Sequence, residues 1–394
     1  MINFTTVANL LFLIYGPRLF GSSFLDFTLL PFLWLSIIYL RSRSSLILPR
    51  SFFVVFYSLI ILLCSSITIS LFKATYDYIH IFKLMRILVS GFIIIIFIRI
   101  LFERGVTKEQ LINLFCFTVS VHAFIVIVQF FSSDFNSFLK IINGYQGAAS
   151  RPTGLTWSLN ASAIPSAFAV FLILNNKNKN YLQLFLIIFS MSLMGRTSFI
   201  LMLGILLIRF LMSFGIKRLV QISFISIFLM FSLNPLMNYL LSLENLNVQL
   251  YIYLQLFQLL LGEISLDDAE YVSVLFETLR SFLIVPNVGF DILFGTGLSG
   301  RESVYVASDM GVILTIFSFG LFGLLIFTFL NLYLVFLARN SSIFEPILMI
   351  TVLMFLLNFK ENIFFARHVS AIFFFCLVYL SLPRMDDAKK YEKV

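Results

Sequence analysis

Arg86, Arg151, Arg196, Arg280, Arg301, Lys360 and Arg367 lie beside or inside apolar segments, or in the one long acidic interval of the chain. An ionisable group at a membrane edge is costly, and is usually either paired or functional. The planar guanidinium fork binds phosphate or pyrophosphate through paired hydrogen bonds, so such a set suits an anionic phosphate ligand. Each side chain can equally pair with a carboxylate or snorkel to lipid head groups. Asp309 follows Ser308 and precedes Met310-Gly311. A partly desolvated carboxylate there can act as a base toward a hydroxyl; Ser308-Asp309 also reads as a helix N-cap. Gly295-Thr296-Gly297-Leu298-Ser299-Gly300 lacks the preceding strand and the Gly-Lys-Ser/Thr ending of a nucleotide loop. Its glycines let backbone turn tightly or approach a ligand closely. Lys360 and Glu361 read as a neighbouring ion pair or as a second tier of the same site, with Gly295, Gly297 and Arg301. His80, His122 and His368 have no metal-ligand spacing and read as structural.

These residues need a scaffold, and the composition says which kind. The chain has 394 residues, of which 60% are hydrophobic and 12% charged, and its mean hydropathy is +1.02. Repeated apolar runs on this scale are those of membrane helices, which need roughly 20 residues to cross about 30 Å of hydrocarbon. The formal net charge of +8 collects in short loops and the C-terminal tail, as positive-inside topology requires, so it calls for no nucleic acid. Cys64, Cys116 and Cys376 all fall in apolar runs without a Cys-x-x-Cys spacing, so they read as packing residues. No Lys or Arg precedes Arg18, so the N-terminus lacks the basic region of a signal peptide.

The predicted spans are Phe4–Tyr15, Phe24–Leu40, Phe52–Phe72, Leu84–Leu101, Leu111–Phe131, Leu155–Leu174, two within Tyr181–Ser213, Leu219–Phe231, Met310–Leu337, Pro346–Phe359 and Ile363–Leu382. Tyr181–Ser213 as one helix would be about 50 Å long, so Gly195-Arg196-Thr197-Ser198 should turn the chain and set Arg196 below the membrane surface. Gly320 and Gly323 read as small residues for close helix packing. The expectation is an all-α polytopic membrane protein forming a single transmembrane domain over 1–394. It has about twelve spans and both termini in the cytoplasm. Its outer loop covers 132–154, its large extracytoplasmic loop 232–309 and its cytoplasmic tail 383–394. The large loop is acidic (Glu244, Glu263, Asp267, Asp268, Glu270, Glu277, Asp291, Glu302, Asp309), and such a loop fits the cytoplasmic side poorly.

Taken together, several motifs resemble the O-antigen polymerase and ligase superfamily of bacterial envelope enzymes. They are Arg151-Pro152-Thr153-Gly154 ahead of a span containing Asn160, then Gly195-Arg196-Thr197-Ser198 between two spans, then Arg280 in the long loop. Phe294-Gly295-Thr296-Gly297, Ser308-Asp309 and the Gly320/Gly323 pair complete the order. In the ligases a histidine stands where this chain has Asp309, so the resemblance points to a polymerase. It implies a metal-independent, inverting glycosyltransferase with a GT-C-like membrane fold and no cofactor, in the bacterial inner membrane with its large loop periplasmic. The substrate implied is an undecaprenyl-pyrophosphate-linked oligosaccharide, with membrane lipids, a chain-length regulator and a flippase as partners. By the same resemblance Arg151, Arg196 and Arg280 bind the pyrophosphate and Asp309 takes or orients the acceptor proton. A ligase that moves the glycan to a lipid A core, and a flippase or other transporter, are the alternatives.

Overall fold

Apolar runs without internal charge can satisfy their backbone away from water by folding as α-helices. Among the described residues of the computed structural model every regular element is one. Those residues are 4–16, 29–42, 48–75, 78–143, 152–156, 159–176, 179–194, 198, 201–205, 286, 289–298, 310–359, 363–364 and 366–382. The helices are α1 (Phe4–Tyr15), α2 (Leu29–Ser42), α3 (Arg50–Phe72), α4 (Ile79–Glu103), α5 (Lys108–Phe131), α6 (Ser133–Asn143), α7 (Leu159–Asn175), α8 (Tyr181–Met194), α9 (Phe290–Phe294), α10 (Gly311–Ala338), α11 (Phe344–Asn358) and α12 (Arg367–Ser381). By contact the chain divides into two units, 1–205 with 285–394, and 206–284. The second unit, with the expected span Leu219–Phe231 and most of the large loop, lies outside the described residues, as does the tail 383–394.

Among the described residues four helices, α3, α4, α5 and α10, are long and apolar enough to cross a membrane. The described parts of α1, α7, α8, α11 and α12 are apolar but shorter. A helix of 15 residues, such as α11 or α12, is about 22 Å long, well under the hydrocarbon thickness. Among the described residues the fold is therefore all-helical, with four helices that fit membrane spans. The full set of about twelve spans remains the expectation stated above.

Local sequence sets the helix ends. Arg104, Gly105 and Val106 close α4: Gly105 takes φ +81°, and the Val106 N–H reaches the Leu101 carbonyl at 3.1 Å, the arrangement of a Schellman cap. Thr107 then opens α5 with a capping box. Its hydroxyl accepts from the Gln110 N–H and the Gln110 side chain accepts from its own N–H.

Packing follows the apolar pattern. On α3, Phe52, Val55, Leu59 and Leu62 are buried, whereas Phe53, Tyr57 and Ile61 on the opposite side are exposed. An apolar face left open on such a helix is the face a membrane covers. Where α5, α7 and α12 meet, Phe115 packs against Phe168 and Phe375 at ring separations of 5.5 and 4.9 Å. Gly91 lets α4 approach α12 so closely that a Cβ there would stand 2.3 Å from the Phe374 ring. Cys116 and Cys376 are buried; Cys64 is exposed on α3.

The structure adds to three expectations. Within the expected outer loop 132–154, α6 occupies Ser133–Asn143 and buries Asn136, Leu139, Lys140 and Asn143. Its start is fixed by the Ser132 hydroxyl, which accepts from the Phe135 N–H at 3.3 Å. Second, α10 is not continuous: it breaks at Gly320, with φ +67° and ψ −172°, while the missing Cβ still permits the expected close approach, since a Cβ there would stand 2.2 Å from the Leu293 carbonyl oxygen. Third, the capping position of α10 falls on Met310 and carries no side-chain capping bond; Ser308 and Asp309, expected either to cap this helix or to act as a base, lie outside the described residues.

Candidate functional site

Two of the resemblance-bearing motifs have described neighbours, and both are built into the helical frame. The first is the turn Pro152–Thr156 that follows Arg151. Pro152, Thr153, Gly154 and Thr156 are buried, so their backbone groups need partners within the protein. The Gly154 N–H donates to Gln129 Oε1 at 2.7 Å, and the Leu155 N–H donates to His122 Nε2 at 3.4 Å. The Thr156 hydroxyl closes the turn by donating to the Thr153 carbonyl at 2.8 Å. Gln129 in turn donates through Nε2 to Asn136 Oδ1 of α6 at 2.8 Å, and Asn143 Nδ2 approaches the Gly154 carbonyl at 3.4 Å. Gly154 sits at φ +63°, and a Cβ there would fall 2.3 Å from His122 Nε2. The anchors are neutral amides and an imidazole, as suits a place where an uncompensated charge would be expensive.

Behind His122 lies a buried polar cluster drawn from four helices. The Tyr15 ring of α1 stacks face to face on the His122 ring, with centroids 3.8 Å apart and planes within 1°. His368 of α12 lies 6.1 Å from the Tyr15 ring, and its Nδ1 sits 2.8 Å from the Ile14 carbonyl. Ser166 of α7 is the polar neighbour of the Tyr15 phenol. Tyr15 Oη, His122 Nδ1 and Ser166 Oγ are nevertheless all buried without a partner in hydrogen-bond geometry. Accepting through Nε2 puts the His122 ring proton on Nδ1. His122 and His368 are thus built into the frame, and this cluster ties the turn after Arg151 to the start of α12, whose first residue is Arg367.

The second motif is the Gly295-Thr296-Gly297 segment. Breaking α10 at Gly320 leaves carbonyls in the preceding turn without helical donors, and the segment supplies replacements. Both the N–H and the hydroxyl of Thr296 donate to the Phe317 carbonyl, at 2.8 and 3.0 Å, and the Ser318 hydroxyl donates to the Leu298 carbonyl at 3.1 Å. Gly295 takes φ +90°, and a Cβ on it would stand 2.8 Å from the Phe319 nitrogen; on Gly297, at φ +75°, it would stand 2.8 Å from Thr75 Oγ1. The close approach these glycines permit is therefore to the α10 break and to the end of α3. Lys73 pairs with Asp291 nearby, and His80 sets its ring edge against Phe319 at 5.5 Å.

The other expected site residues, Arg151, Arg196, Arg280, Arg301, Asp309, Lys360 and Glu361, lie outside the described residues. The flanks of the Lys360-Glu361 pair are described. Asn358 Oδ1 accepts from the Ile363 N–H at 3.1 Å, and Phe364 stacks on Phe327 at 5.5 Å. Among the described residues no cluster of His, Cys, Asp and Glu could hold a metal ion. Sequence reading passed over Tyr15, Gln129, Asn136 and Asn143. The available signal was an amide and an imidazole, Gln129 and His122, inside the mostly apolar span Leu111–Phe131, which also carries Asn113. Compared with protein-family models, with curated proteins and with solved structures, the chain matches none.

Proposed function

We propose that the protein polymerises undecaprenyl-pyrophosphate-linked repeat units of O-antigen or a related polysaccharide by glycosyl transfer at the periplasmic face of the bacterial inner membrane. The observation that carries this reading is the buried seat of Pro152–Thr156. The peptide leaving Arg151 is anchored within an apolar helical frame by Gln129 and His122. A motif that meets the charged group of a lipid-borne substrate needs such an anchor, because a loosely held cation forfeits much of its effect on a reacting group. The Gly295–Leu298 segment, bonded across the α10 break, supports it by fixing one end of the stretch that leads to Asp309.

In this mechanism Arg196 and Arg280, with Arg151, hold the donor pyrophosphate and stabilise the charge it gains on leaving. Asp309 accepts the proton of, or orients, a hydroxyl on the incoming lipid-linked repeat unit. That hydroxyl attacks the anomeric carbon of the growing chain with inversion. The bond to the pyrophosphate oxygen breaks as the glycosidic bond forms, and undecaprenyl pyrophosphate departs. Arginines neutralise the leaving group, so the scheme uses no metal and no cofactor. Arg280→Ala and Asp309→Ala should each abolish polymer in cells while membrane levels of the protein stay normal. A normal polymer ladder from either variant would remove that residue from the mechanism.

A further inference from the structure

We infer that His122 and Gln129 are positioning residues, which act on the proposed reaction by holding the turn Pro152–Thr156 rather than by touching substrate. The functional consequence rests on the polymerase reading; the geometry does not. His122, Val126 and Gln129 are spaced i, i+4 and i+7, so they form one stripe on α5. The turn lies along that stripe. Its Gly154 and Leu155 N–H groups take the Gln129 and His122 acceptors, and a Cβ at Gly154 would stand 2.3 Å from His122 Nε2 and 2.9 Å from Val126 Cγ2.

Each anchor is itself held. The Tyr15 ring covers one face of the His122 imidazole at 3.8 Å, and Asn136 takes the amide hydrogen of Gln129 at 2.8 Å. Stacking and hydrogen bonding therefore leave each anchor little rotamer freedom, and the turn inherits that rigidity. A side chain that merely filled space here would not need to present an acceptor to a backbone N–H. An acceptor-free replacement of similar size consequently separates positioning from packing. His122→Gln retains an acceptor near the place of Nε2, whereas His122→Leu and Gln129→Leu retain none.

The test uses the full chain, purified in detergent, with lipid-linked repeat units extracted from a strain lacking this gene. Gln129→Leu and His122→Leu should raise KM about tenfold while kcat stays within about threefold, as for loss of orientation remote from the chemistry. His122→Gln should recover most of the loss. An unchanged KM in a folded Gln129→Leu chain, or no recovery in His122→Gln, overturns the inference. If the wild-type chain makes no polymer the polymerase reading fails, and positioning is then read from thiol chemistry. Arg151→Cys in a Cys64→Ser background is labelled with a membrane-impermeant maleimide. Adding Gln129→Leu should change the labelling rate roughly tenfold, and equal rates overturn the inference. Where a leucine variant fails to fold, Gln129→Met, close to glutamine in size, takes its place in both measurements.

Discussion

Replacing Gly320 by alanine puts the α10 break under direct strain. Gly320 has φ +67° and ψ −172°, a region that is close to glycine-only and costs a residue with a Cβ about 1–3 kcal/mol. The new Cβ would also lie 2.2 Å from the Leu293 carbonyl oxygen and 2.4 Å from the Phe294 nitrogen. Those are backbone atoms, so relief requires α9 and the Gly295–Leu298 segment to move as a unit. That movement weakens the bonds from Thr296 to the Phe317 carbonyl, each worth about 1 kcal/mol. The expected total loss is on the order of 3 kcal/mol. In a detergent-purified sample it should lower Tm by roughly 5 °C or more. Gly204→Ala is the control, since nothing lies within 4 Å of a Cβ there and alanine is the better helix former; it should leave Tm unchanged or slightly raised. A Gly320→Ala chain that melts with the wild type would refute the broken-helix account and restore Gly320 to an ordinary packing position.

Two further perturbations test the scaffold. Gly91→Ala should push the Phe374 ring aside, given the 2.3 Å approach; overpacking of this kind costs about 1–3 kcal/mol, and Phe374→Leu should recover much of the lost Tm. Thr107→Ala should cost about 1 kcal/mol by removing the capping box at the start of α5, read as a lower midpoint in thermal unfolding with polymer formation retained.

The apolar runs made much of the frame legible. α1 covers Phe4–Tyr15 as expected, and α3, α5 and α10 begin or end within a few residues of the predicted spans, because their length and lack of charge leave the backbone one solution. α6 went unread although Ser132 precedes a cap-like start, because its apolar residues are too few to register as a span. The break at Gly320 was also hidden, since a glycine in an apolar run signals close packing and backbone freedom alike. The polar anchors were hidden for a different reason. Gln129 and His122 find their partners 25 and 33 positions along the chain, and no local pattern announces a contact of that separation. The arginines and Asp309 were named from residue type and order, and their geometry lies outside the described residues.

The most direct test of the proposed activity is a lipopolysaccharide gel from a strain in which this gene is deleted. The polymerase reading predicts lipid A core carrying a single repeat unit with the ladder gone, and the ladder restored by the wild-type gene. Bare core without any attached repeat would contradict it and return the choice to a ligase or a flippase. An intact ladder would contradict all three.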